Sequence, residues 1–127
     1  MDWNEADDVR IDLIHLCEIL ELTHISMDRI FCYRTDGSKA RAYARTWAFP
    51  KIFQRALGVE PAYVIEVISK YYDRLNSDEK KKVLIHELLH IPKNFSGALL
   101  PHQTKDRHLG RTAAQMYKEY KKRMQNY

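Results

Sequence analysis

Between Asn76 and Pro92 the chain carries one helix with both of its ends marked. Asn76-Ser-Asp-Glu79 places an Asn side chain three residues before a Glu, the reciprocal pairing that satisfies the free amides at a helix start. Lys80, Lys81 and Lys82 and the apolar run Val83-Leu-Ile85 continue it. Pro92 then stops it, because proline lacks the N–H and disfavours helical geometry in the residue before it. Inside this helix lies His86-Glu-Leu-Leu-His90. A four-residue step puts two imidazoles on one face, about one turn apart, where both can reach a single ion. Glu87 is offset about 100° around the axis, so it cannot share their coordination but can reach a water beside the ion. Leu88 and Leu89 point elsewhere and are expected to pack in the core.

At ordinary residue frequencies this five-residue HExxH pattern arises by chance in a chain this long well under about one time in a hundred. The chemistry it fits is zinc-assisted hydrolysis. Zn²⁺ brings the pKa of a bound water to about 7, and a neighbouring carboxylate takes its proton as the oxygen attacks a carbonyl. His86 and His90 are therefore read as metal ligands and Glu87 as the catalytic base. A catalytic zinc normally takes three protein ligands and keeps one position open. His102, beyond a Gly-containing loop that can fold back, is the preferred third ligand. His108, at the start of the last helix, stays open as an alternative, with Asp106 and Glu119 behind it.

The rest of the chain reads as an α+β frame for this helix. From Trp3 to Leu22, Val9, Leu13, Leu16, Cys17 and Leu20 recur at helical spacing between acids, an amphipathic helix. Arg29–Arg34 reads as a strand closed by Asp36-Gly37, and residues 40–47 as a strand with Arg41, Tyr43 and Arg45 on a polar face. A short helix is expected around Ile52–Leu57. Tyr63–Ile68 is β-branched, short and bounded by breakers, the clearest strand in the sequence. Its Glu66 interrupts the apolar run and marks a face toward solvent or a ligand. The last helix is expected over Arg107–Arg123. Helix, strands, helix, loop, helix is an α+β layout with helices covering one face of a small mixed sheet.

At 127 residues the chain is long enough for one packed core but not two, so residues 1–127 are expected to form a single domain. No apolar run approaches the roughly 18 residues of a membrane helix, and the acidic start is unlike a secretory signal. A soluble, cytoplasmic protein is expected, with Cys17 and Cys32 as free thiols. The formal charge of +4 is unevenly spread. Residues 1–22 carry one Arg against seven acids, whereas 105–127 carry seven Lys or Arg against two. The basic last helix can bind phosphates, pair with the acidic first helix or simply face solvent. Oligomeric state is not legible.

The run Val83-Leu-Ile-His-Glu-Leu-Leu-His-Ile-Pro92, then Phe95-Ser-Gly97 and a His after Leu100-Pro101, resembles the metallopeptidases described from archaea and phages, a family related in pattern to SprT-like zincins. Phe31–Arg41 and Tyr63–Ser69 resemble it too, so the likeness covers most of the chain from about residue 24. It implies a zincin fold with His102 as third ligand. In an SprT-like protein the third His would instead start a helix before Gly, a pattern that His108-Leu-Gly110 only approximates. The expected activity is hydrolysis of peptide bonds in a peptide or protein substrate, aligned as an extended strand by edge pairing with a sheet strand such as Tyr63–Ile68. The alternative is a metal-binding module without proteolysis that recognises nucleic acid, or protein on it, through the basic last helix. Three weaker expectations concern single residues: Arg41 and Arg45 are read as solvated strand arginines, with substrate carboxylates or phosphates as the alternative; Tyr117 and Tyr120 as core packing at helical spacing, with donation to an oxyanion as the alternative; and His15 and His24 as ordinary packing or surface histidines.

Overall fold

The computed structural model describes residues 1–104 and 107–126. In chain order these form β1 (Asp2–Glu5), α1 (Asp7–Ile19), β2 (Ile30–Asp36), β3 (Ala44–Ala48), α2 (Lys51–Leu57), β4 (Tyr63–Ile68), α3 (Ser69–Tyr72), α4 (Ser77–Leu88), β5 (Gln103–Thr104), β6 (Arg107–His108) and α5 (Leu109–Met124). The main sheet is mixed, in the order β1-β2-β4-β3. β2 and β4 run parallel, while β1 and β3 flank them antiparallel. β5 and β6 form a separate two-stranded hairpin. None of the described helices is long and apolar enough to cross a membrane.

Two boundaries differ from the sequence expectation for a shared reason. The amphipathic stretch expected to begin at Trp3 becomes helix only at Asp7, because Asp2–Glu5 pair with β2 from Asp36 back to Tyr33. Ladder pairing to a strand that already exists outweighs weak local helix preference in Asp-Trp-Asn-Glu. Ala6, buried at the junction, continues that pairing by donating its N–H to the Cys32 carbonyl. Similarly, the strand expected over 40–47 is confined to Ala44–Ala48, where β4 supplies partners. Tyr63–Ile68 is a strand with the expected limits. Its central place in the sheet corrects one expectation, that it could offer a free edge to a peptide: both of its edges are taken, by β2 and β3.

α1, α4 and α5 pack on one side of the sheet, and strand alternation decides what they cover. Ile30 and Cys32 of β2 and Tyr63, Ile65 and Val67 of β4 join Val9, Leu13 and Leu16 of α1, Leu84, Ile85 and Leu88 of α4, and Ala113, Tyr117 and Tyr120 of α5 in one buried cluster. Burying each of the larger aliphatic side chains here contributes about 1.5–3 kcal/mol. Cys17 is half-buried and Cys32 buried, and both thiols are free.

The opposite face carries Trp3, Phe31, Tyr33, Arg45 and Trp47, and in its middle Glu66 at 3% exposure. The Glu66 carboxylate accepts from Trp47 Nε1 at 2.8 Å, from Arg45 Nε at 3.0 Å, from Trp3 Nε1 at 3.4 Å and from the Thr35 hydroxyl. The break in the apolar run of β4 is thus a buried, fully partnered carboxylate. Arg45, read as a solvated arginine or a substrate contact, is committed to this network.

Candidate metal centre

The helix α4 begins as its sequence requires. Asn76 Oδ1 accepts from the Glu79 amide at 2.8 Å, and Glu79 returns the bond to the Asn76 amide at 3.1 Å. It ends earlier than the spacing suggests. Regular α geometry stops at Leu88, and the His90 N–H bonds to the Glu87 carbonyl at 3.1 Å, the shorter step of a 3₁₀ turn. His90 therefore lies just past the helix proper. The tightened turn still leaves its ring centre 5.3 Å from that of His86.

The loop after Pro92 folds back over this end. Tyr63, from β4, pins it: its hydroxyl accepts from the Gly97 amide at 2.8 Å and donates to the Ala98 carbonyl at 2.9 Å. Gly97 has φ +90°, a conformation natural to glycine. Further on, the Leu100 amide donates to the His90 carbonyl at 2.7 Å. His90 Nδ1 lies 2.6 Å from the Leu100 carbonyl, so this nitrogen carries the proton and Nε2 is left as the lone-pair donor.

These contacts deliver His102 to the pair at the end of α4. Its ring centre lies 5.1 Å from His86 and 4.4 Å from His90, and one nitrogen from each of the three imidazoles falls within 4.8 Å of the others. Burial, reinforced by His90, His102 and His108, holds the His86 imidazole below its ordinary pKa and hence neutral, the form that binds metal. Three imidazoles form a donor set suited to a borderline divalent ion such as zinc.

Glu87 sits beside them, buried at 6% exposure. Burial raises its pKa, and a hydrogen bond from Thr46 together with the proximity of His102 opposes the rise. Thr46 Oγ1 lies 2.9 Å from Glu87 Oε1 and 3.3 Å from the Glu87 carbonyl. A cavity of about 380 Å³ opens next to Glu87 and His86, walled by Ala42, Tyr43, Ala44 and Val83 and by Ala113 and Ala114 of α5.

Of the alternatives for a third ligand, His108 is not in the cluster of three: its Nδ1 caps α5 by accepting from the Arg111 amide at 3.2 Å. Glu119 pairs with Arg123 at 2.9 Å. Asp106 lies outside the described residues. The tyrosine hydroxyls that could meet an oxyanion are engaged elsewhere, Tyr117 donating to Asp78 and Tyr120 meeting His15 Nδ1 at 2.7 Å. Thr46 was not among the expected site residues. Its signal is faint: a single hydroxyl in the alternating row Ala44, Thr46, Ala48 on the strand face turned to α4.

A small α+β chain in which two imidazoles from a helix end and one from a folded-back loop converge beside a buried carboxylate has the make-up of a metal-binding protein. Its sequence matches, over residues 1–121, the family described as "Putative phage metallopeptidase". The chain belongs to that family. No curated protein and no solved structure matches it.

Proposed function

We propose that this protein is a zinc-dependent peptidase of zincin-like build, in which His86, His90 and His102 hold the metal and Glu87 is the catalytic base. The observation that carries this reading is the convergence of three imidazole nitrogens within 4.8 Å beside a buried glutamate. Membership of a family described as metallopeptidases supports it. A zinc ion bound there supplies Lewis acidity toward a peptide carbonyl and makes a water easier to deprotonate.

The chain's own residues account for the remaining steps. His90 is fixed in one tautomer by the Leu100 carbonyl, so its Nε2 needs no rearrangement to act as a ligand. Glu87, kept from bulk water and oriented by Thr46, takes a proton from the attacking water and delivers it to the departing amine. The strand that aligns an extended peptide is β3, which ends the sheet and carries Thr46 toward the site. Small side chains at Ala42, Ala44, Ala113 and Ala114 leave room for a substrate side chain next to Glu87.

The test combines metal content with turnover. Purified wild type should contain about one zinc per chain, and His86→Ala or His102→Ala should lose it. Glu87→Gln should keep the metal while cleavage of a mixed peptide library falls at least about a hundredfold. Retention of full zinc by His102→Ala, or unchanged cleavage by Glu87→Gln, would overturn the assignment.

A further inference from the structure

The cavity beside Glu87 does not end at the site. Lys82 and Ala114, which wall it on one side, also wall a second cavity of about 390 Å³ whose other sides are Tyr117, Lys118, Lys121 and Lys122. The two cavities adjoin at these residues along the seam between α4 and α5. Near Glu87 the walls are mostly small and apolar, with Tyr43 and Lys82 among them, and farther out they are mainly cationic.

Partners remove only part of that charge. Lys121 lies 3.6 Å from Asp78, which also accepts from Tyr117. The exposed side chains of Lys82, Lys118 and Lys122 have no carboxylate partner among the described residues, and Glu119 on the same helix is paired with Arg123. Lys118 and Lys122 follow Ala114 at successive four-residue steps, so the three share one face of α5.

We propose that this outer cavity receives an acidic stretch of the peptide substrate, its carboxylates meeting Lys82, Lys118 and Lys122. The proposal rests on the peptidase reading and names the substrate class for it. Eight residues of helix from Ala114 to Lys122 span about 12 Å, the length of roughly four residues of extended peptide. The acidic positions therefore fall about three to five residues from the scissile bond. A nucleic acid fits the two cavities less well. Lys82 and Lys121 already cover the Tyr117 ring, at 5.3 and 5.9 Å, so the outer cavity has no free Tyr117 face to stack a base, and Lys82 is the one cation among the inner walls.

Exposed ion pairs are individually weak, so three of them should discriminate by about tenfold. The experiment measures fluorescence anisotropy of two labelled peptides of about twelve residues, identical except for Glu or Gln at the positions about three to five from the centre. They are titrated with the full-length, zinc-loaded Glu87→Gln protein, which binds without turnover. The Glu peptide should bind about tenfold more tightly at about 50 mM salt, and the difference should shrink markedly by about 300 mM. Lys118→Glu combined with Lys122→Glu should abolish the preference while zinc content and affinity for the Gln peptide stay as they were. Equal affinities, no binding of either peptide, or a preference that survives the double substitution overturns the proposal. So does displacement of the Glu peptide by a single-stranded oligonucleotide at lower concentration than by its unlabelled self. If the preference holds but wild type cleaves neither peptide, the groove stands and the peptidase reading falls.

Discussion

His90 and Leu100 exchange two hydrogen bonds, the Leu100 amide donating to the His90 carbonyl at 2.7 Å and His90 Nδ1 donating to the Leu100 carbonyl at 2.6 Å. The loop that carries His102 is thus fastened to the helix end that carries the other two imidazoles, two residues before His102 itself. Leu100→Pro removes the amide donor and, with Pro101 following, stiffens the backbone against the same path. Zinc affinity, measured by competition with a chromogenic chelator, should fall about 10- to 100-fold, the usual range for lost outer partners of a metal ligand. Thermal stability should change little, since Leu100 is only half-buried. Unchanged zinc affinity would show that the loop positions His102 without this clamp.

Thr46 acts on Glu87 rather than on substrate. Replacing it with Val keeps the volume and deletes the hydroxyl that orients the carboxylate. Under the peptidase reading, kcat should drop about tenfold with KM and zinc content near wild type, because a misplaced base raises the barrier without weakening binding. Thr46→Ser keeps the hydroxyl and should restore most of the rate. A Ser variant as slow as Val would assign Thr46 to packing.

Glu66 gives a pH test that is independent of catalysis. Burial alone would raise its carboxyl, but hydrogen bonds from Thr35 and Trp47 and the Arg45 guanidinium more than offset it, so its pKa falls below the ordinary 4.5. A depressed folded pKa means that the stabilisation is present above 4.5 and is lost as pH falls through the lower, folded value. Glu66→Gln, which turns an amide toward the same donors, should cost about 2 kcal/mol near pH 7. That deficit should narrow as urea unfolding is repeated at progressively lower pH below 4.5. A deficit constant across the range would mean that the charge contributes nothing.

What the sequence disclosed was whatever had a local cause. The Asn76–Glu79 cap and the limits of Tyr63–Ile68 follow from neighbours within a few residues, whereas the sequence left the third imidazole open between His102 and His108, because the loop's path depends on Tyr63, over thirty residues away. Contacts between distant segments were hidden. Trp3 belongs to a strand because β2 lies beside it, which no periodicity in Asp2–Glu5 reports. Glu66 looked like a residue facing solvent because its donors, at 3, 35, 45 and 47, come from three other strands. Thr46 was invisible because a threonine in a strand is ordinary until the helix it faces is known. Tyr117 and Tyr120 are buried, as their helical spacing suggests, but their hydroxyl partners, Asp78 and His15, again come from distant segments.

Gly97 links the loop's backbone geometry to the metal centre, and a two-residue comparison separates its contributions. At φ +90° an Ala is strained by about 1–3 kcal/mol whatever the space around it. Its Cβ would also collide with the Gln54 amide, which is held in place by donating to the Phe49 carbonyl at 2.7 Å. Gly97→Ala should therefore destabilise the fold and weaken zinc binding together, because the Gly97 amide is the donor that ties the loop to Tyr63. Adding Gln54→Ala removes the collision and leaves the backbone strain. The double variant should thus recover part, not all, of the loss in both melting temperature and zinc affinity. Full recovery would assign the whole effect to the collision and none to the left-handed backbone. No recovery would assign it to the backbone alone.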